Sequence, residues 1–83
     1  MLIRIKLYAM LSEYLPAGAK KNEADMTVPE DENVQAVLQQ LHMPSEMCHL
    51  VLVNGSYIAP SERVGHKLVE GDHLAVWPPV AGG

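Results

Sequence analysis

The residues best suited to chemistry form the last stretch of the sequence. Two prolines there favour an extended conformation and lack amide donors, so they direct the chain away from a sheet. The two glycines that follow have no side chains and can enter a narrow active site in another protein. An α-carboxylate, with a pKa near roughly 3.5, is ionised at neutral pH and can attack the α-phosphate of ATP. The residues in order are Trp77, Pro78, Pro79, Val80, Ala81, Gly82 and Gly83.

This stretch has two interpretations. A frayed end that happens to contain two glycines is common in proteins. The proline pair argues against that interpretation, because it stiffens the point where the chain leaves the domain. We therefore expect residues 78–83 to form an extended tail, detached from its own domain, with the carboxylate of Gly83 as the reacting group.

The other side chains with catalytic potential show no such arrangement. The four histidines are scattered, without an i,i+4 pair or a Cys/His cluster of metal-binding spacing, which favours surface histidines over ligands. The single cysteine has no evident base partner and is more typical of a small buried hydrophobe than of a nucleophile. We expect no metal site and no cofactor bound by this chain. These residues are His42, His49, His66, His73 and Cys48.

The composition indicates one domain spanning residues 1–83. A chain of 83 residues that is 48% hydrophobic can bury one core but not two. One cysteine cannot form an internal disulfide, and there is neither a leader pattern nor a long apolar run, so we expect a cytoplasmic protein. Ten acidic and six basic residues give a net charge of −4, which disfavours nucleic acids and membranes as partners.

Alternating apolar residues predict the strands. Clear alternation occurs in residues 3–7 and 24–28, and again in residues 73–77. The continuous apolar run 50–53 is typical of a strand covered on both faces, and the Asn-Gly turn after it predicts a short edge strand at 56–58. In the last strand Leu74 and Val76 face one way, so Trp77 should lie on the outer face, where aromatics often anchor interfaces. The alternative is that Trp77 completes the core.

One main helix is predicted. Asn33 is a good N-cap, and the apolar residues that follow recur at i, i+3, i+4 and i+7, at Val34, Val37, Leu38 and Leu41. One or two helical turns are also expected after residue 10. The result is an α+β domain, a mixed sheet of four or five strands with one main helix packed across it. The β-grasp arrangement, with the first and last strands side by side in the middle, would bury both.

The run from Val76 to Gly83 resembles the ending of the MoaD family, the small subunit of molybdopterin synthase, in the MoaD/ThiS superfamily. Segments 3–7, 34–41, 52–55 and 68–72 also fall where that family carries equivalent elements, so the resemblance covers nearly the whole chain. Trp77 stands where phenylalanine is usual in the family, and it keeps the aromatic character.

The resemblance implies a β-grasp fold and a sulfur-carrying cycle. A MoeB-like adenylating enzyme uses ATP and magnesium to form an acyl-adenylate at Gly83, and a persulfide donor converts it to a thiocarboxylate. The tail residues Pro78 to Gly82 then enter a MoaE-like large subunit, where the sulfur passes to a pterin that later binds molybdenum or tungsten. This chain would be a non-catalytic, sulfur-donating subunit, which leaves open whether it counts as an enzyme.

Other functions remain compatible with the same tail. The thiocarboxylate could serve thiamine or amino-acid biosynthesis, because the chemistry of activation is identical. A ubiquitin-like modifier would attach its adenylated Gly83 to a lysine instead of to sulfur. A β-grasp binding module with an idle tail is a third alternative.

Overall fold

The computed structural model describes residues 1–79, so the predictions made for Val80, Ala81, Gly82 and Gly83 lie outside the described residues. The strands are β1 (Leu2–Leu7), β2 (Glu23–Thr27), β3 (Leu50–Val53), β4 (Ser56–Tyr57) and β5 (His73–Trp77), and the α-helix α1 is Val34–Gln40. Short 3-10 helices occupy Ala9–Tyr14, Ser45–Met47 and Pro60–Glu62. The first of them is the helical turn expected after residue 10, and the other two were not predicted.

The described strands form one mixed sheet in the order β2-β1-β5-β3-β4. β1 and β5 are parallel neighbours at its centre, and the other pairs are antiparallel. The first and last strands therefore lie side by side in the middle, as predicted. β1 and β2 form a hairpin around the first 3-10 helix, and β4 is the short edge strand expected after the Asn54-Gly55 turn.

The core lies between the sheet and α1. Alternation along β1 and β5 places Ile5, Leu7, Leu74 and Val76 on the inner face, where each is fully buried. The helix contributes buried residues at the predicted i, i+3 and i+4 positions. Its N-cap is Asn33, as predicted, and the Asn33 side-chain oxygen accepts a hydrogen bond of 2.8 Å from the backbone N–H of Ala36.

A buried carboxylate fixes the start of β5. Asp72 accepts hydrogen bonds of 2.8 Å from the Asn54 side-chain amide and from the backbone N–H of Val69. The side-chain oxygen of Asn54 also accepts a 2.9 Å hydrogen bond from the backbone N–H of His73, the first residue of β5. The 54–55 turn and the loop before β5 are thus tied together, which sets the position from which β5 runs towards the tail.

Candidate functional site

The tail emerges from the central strand of the sheet. At the end of β5 the carbonyl oxygen of Trp77 accepts a 3.0 Å hydrogen bond from the backbone N–H of His49, on the β3 side. On the other side the carbonyl oxygen of Val76 accepts a 3.1 Å hydrogen bond from the backbone N–H of Tyr8, the residue that follows β1. Since β5 is bonded on both sides at this end, the point where the tail begins is fixed relative to the sheet.

Pro78 differs from the sequence-based expectation. It is buried, whereas Pro79 is exposed. The prediction that the chain is detached from residue 78 onward is therefore wrong for Pro78. Proline buries well at this position because its missing N–H leaves no donor to satisfy.

Trp77 lies on the outer face of the sheet, as predicted, and it is half-buried there. Its ring stacks on Tyr8 with the ring centroids 4.1 Å apart and the ring planes 3° from parallel. Tyr8 and Trp77 are brought together by the parallel pairing of β1 with β5. The stack holds the indole against the sheet, so its exposed surface is presented in a defined orientation.

The outer face carries an apolar surface that reaches the end of β5, and we call it the open sheet face. Its residues project opposite to the core in the strand alternation and are half-buried or exposed. Tyr57 is the most exposed of them, at 56%. The residues of the open sheet face are Tyr8, Leu50, Leu52, Tyr57, Ala75 and Trp77.

The open sheet face corrects the prediction for β3. Val51 and Val53 are buried, but Leu50 and Leu52 are only half-buried, so this strand is not covered on both faces. A continuous apolar run is compatible with either arrangement, and burial of the second face requires an element that the described residues do not place there. An apolar surface next to the tail is typical of a protein contact.

Charged residues border the open sheet face on the β2 side. Arg4 donates a 3.0 Å hydrogen bond from Nε to Asp25 and lies 3.4 Å from Glu23. The hydrogen bond to Asp25 and the two carboxylate charges raise the pKa of Arg4. These groups are exposed, so the pairs add little stability and are free to exchange partners with another protein.

The remaining titratable candidates are the histidines and Cys48. Within residues 1–79, no group of three His, Cys, Asp or Glu side chains is close enough to hold a metal ion. Cys48 is buried, as predicted, and this burial raises the pKa of its thiol. Its Sγ donates to the carbonyl oxygen of Pro44 at 3.7 Å. A protonated, buried thiol is a poor nucleophile.

No helix between residues 1 and 79 combines the length and the apolar character that crossing a membrane requires.

The family model that matches the sequence is that of the ThiS family, over residues 5–83. This match covers nearly the whole chain, and the protein therefore belongs to the ThiS family, within the ThiS/MoaD ubiquitin-like superfamily. The comparison with curated protein sequences gives no match.

Solved structures agree with this assignment. The crystal structure of SAMP1 from Haloferax volcanii is 27% identical, with a TM-score of 0.67 over 100% of both chains. A putative molybdopterin converting factor, subunit 1, from Pyrococcus furiosus is 20% identical, with a TM-score of 0.66 over 95% of this chain and 98% of that one. A chain in the complex of subunits 1 and 2 of the molybdopterin-converting factor from Helicobacter pylori is 18% identical, with a TM-score of 0.60 over 100% of both chains. The fold is the ubiquitin-like β-grasp, as predicted.

Proposed function

We propose that this protein is a sulfur carrier for molybdenum or tungsten cofactor biosynthesis and the small subunit of a molybdopterin synthase. The carboxylate of Gly83 attacks the α-phosphorus of ATP, pyrophosphate leaves, and an acyl-adenylate forms in the adenylating partner. The terminal sulfur of a persulfide then displaces AMP to form an acyl disulfide. A second thiol of the donor attacks the donor sulfur of that S–S bond, which leaves the donor as a disulfide and releases the C-terminal thiocarboxylate. That sulfur is donated to a pterin precursor in the large subunit.

The observation that carries the proposal is the position of Trp77, Pro78 and Pro79, which lead into the tail. The chain leaves the central strand β5 directly beside the open sheet face, with Trp77 stacked at the boundary. A partner that covers the open sheet face would receive the tail at a fixed distance from the contact. Family membership supports sulfur carriage, and the Helicobacter pylori complex supports a large-subunit partner of this kind.

The burial of Pro78 limits the reach of the tail. Five residues, 79–83, lie beyond it. At roughly 3.3–3.6 Å per residue they span at most about 18 Å. The reactive centre of each partner must therefore lie within about this distance of the edge of the interface.

We place this cycle in the cytoplasm. ATP is available there to the adenylating enzyme, and the net charge of −4 suits partners with basic surfaces. The chain itself is proposed to hold neither ATP nor magnesium, since both belong to the partner that activates Gly83.

The test is an intact-mass measurement after incubation with ATP, magnesium, an adenylating enzyme of the family and a persulfide donor. The wild-type chain should gain the mass difference between sulfur and oxygen, and deletion of Gly83 should abolish the gain. The deletion variant should melt at the wild-type temperature, because terminal residues contribute little to a core. If the deletion variant still gained sulfur, the sulfur would be attached at a site other than Gly83.

A protein modifier is the second candidate, because two solved structures of Haloferax volcanii SAMP1, also described as small archaeal modifier protein 1, are 27% and 28% identical to this chain. In that case the adenylated Gly83 would form an amide bond with a lysine side chain. Expression of the tagged protein in cells, followed by denaturing electrophoresis, separates the two functions. Conjugates of high mass that vanish on deletion of Gly83 would favour the modifier.

A further inference from the structure

A second site lies on the helix side of the molecule, where a buried arginine has no partner. The residue Arg63 is only 5% exposed, and among the described residues its Nε and Nη2 atoms are buried without a hydrogen-bond partner. Among the described residues Arg63 makes no ion pair. A buried N–H donor without an acceptor is unfavourable, because it has lost its hydrogen bonds to water and gained none in return.

The two unpartnered nitrogens define one edge of the guanidinium. Nε and Nη2 present parallel N–H bonds, and this edge matches the spacing of two oxygens of a carboxylate or a phosphate. Arginine binds such oxyanions in a bidentate manner, with two charge-assisted hydrogen bonds. Two adjacent donors of Arg63 thus lack a hydrogen-bond partner. A pair of donors with this spacing selects for an oxyanion more strongly than a single unpaired donor would.

Arg63 lines a cavity of about 310 Å³ between α1 and the Ser45–Met47 helix. Its lining combines hydrogen-bonding groups, from two glutamines and a serine, with two apolar side chains and one thiol. The space is several times the roughly 30 Å³ that one water occupies. A water could accept from Arg63 but would not neutralise its charge, whereas an anion would do both. The other lining residues are Gln35, Leu38, Gln39, Met43, Ser45 and Cys48.

We propose that this cavity, the Arg63 pocket, binds a small oxyanion, either phosphate or a carboxylate. The glutamine amides and the Ser45 hydroxyl can donate to the oxygens that Arg63 does not reach. The lining includes three residues with long unbranched side chains, Gln35, Gln39 and Met43. Rotation of these side chains can give the anion access to the buried Nε and Nη2 atoms of Arg63. The site lies on the opposite side of the sheet from the open sheet face and is independent of the tail chemistry.

Cys48 provides a local reporter because it lines the same pocket. Its thiol can be alkylated by iodoacetamide only when the pocket is open to the reagent. An anion on Arg63 blocks that access and also adds a negative charge near the thiol. Occupancy of the pocket should therefore slow the alkylation of Cys48 in the wild-type chain, with no substitution needed.

The experiment titrates the full chain with sodium phosphate in one arm and sodium acetate in the other, at an ionic strength kept constant with sodium chloride. At ten times the dissociation constant, binding should raise the melting temperature by roughly 5–10 °C and should slow Cys48 alkylation by about tenfold. A response to acetate alone identifies a carboxylate site, and a response to phosphate alone identifies a phosphate site. No response to either anion up to about a hundred times the concentration of the chain, with Cys48 alkylated at an unchanged rate, would overturn the proposal.

Two variants separate the Arg63 pocket from general salt effects. Arg63→Met removes the charge and fills a similar volume, so the free variant should melt at or above the wild-type temperature and should lose the response to both anions. Arg4→Met removes an exposed arginine on the other side of the sheet and should keep the wild-type response. An undiminished response in Arg63→Met would refute the assignment of the site. If Arg63→Met does not fold, the alkylation of Cys48 in the wild-type chain decides the question.

Discussion

Trp77→Ala tests whether the open sheet face is a docking surface. The indole is half-buried and stacked on Tyr8, and it borders the point where the tail leaves the domain. Loss of the stack should lower the free energy of unfolding by about 0.5–1.5 kcal/mol, the range for a stacked aromatic pair. If the large subunit of molybdopterin synthase covers the ring, the same substitution should weaken binding by about 1–3 kcal/mol. That loss corresponds to a rise in Kd of roughly 5- to 150-fold.

The assay is isothermal titration of the large subunit with wild-type and variant chains, alongside urea unfolding of each chain alone. Val64→Ala is the matched control, because Val64 is 67% exposed but lies in a loop outside the sheet. It should leave both the affinity and the stability unchanged. Leu74→Ala sets the scale for a true core position, at about 2–5 kcal/mol. A stability loss of that size for Trp77→Ala, with an unchanged Kd, would show that the ring belongs to the core and not to an interface.

Four further predictions concern the tail, two polar contacts and the thiol. Deletion of Ala81 keeps the terminal glycines but shortens the reach by one residue, so the variant should bind the large subunit normally and transfer sulfur more slowly; normal turnover would contradict the limit on reach. Asn33→Ala removes the helix cap and should cost about 1 kcal/mol in urea unfolding. Asp72→Ala leaves two donors unsatisfied and should cost about 1–3 kcal/mol, whereas the exposed Glu13→Ala should cost nothing measurable. The pKa of the Cys48 thiol is raised in the folded state, so the protonated thiol contributes fully to stability below the pKa of the unfolded chain. This contribution is lost as the pH rises through the thiol pKa of the folded chain. Cys48→Ala should therefore reduce the loss of stability at alkaline pH, measured by unfolding at a series of pH values.

The regular elements could be predicted because each has a period. Alternation in β1 and β5 and the i, i+3, i+4 spacing in α1 give the correct faces as well as the correct elements. The 3-10 helices at Ser45–Met47 and Pro60–Glu62 could not be predicted, since a single turn is too short to establish a period. The open face of β3 could not be predicted either. A run of four apolar residues shows no alternation between apolar and polar side chains, so it does not indicate which face is uncovered.

The contacts that define the two sites depend on tertiary structure. Tyr8 and Trp77 stack only because a strand near one end of the sequence pairs with a strand near the other, and the register of that pairing is set by the whole sheet. Arg63 lies in a polar loop, where an arginine is normally exposed. Its burial follows from the packing of that loop against α1, where its carbonyl oxygen accepts a 3.1 Å hydrogen bond from the backbone N–H of Gln35. No local pattern indicates this contact.

The parallel pairing of β1 with β5 has a consequence for how the protein is made. Of the described strands β1 is synthesised first and β5 last, so the centre of the sheet cannot form until β5 has been translated. A chain truncated by a premature stop or by proteolysis before residue 73 lacks the central strand, and β1 and β3 are then left with unpaired edges. Such a fragment would be degraded or would aggregate. Only molecules that have completed their sheet can present the end of the chain to a partner.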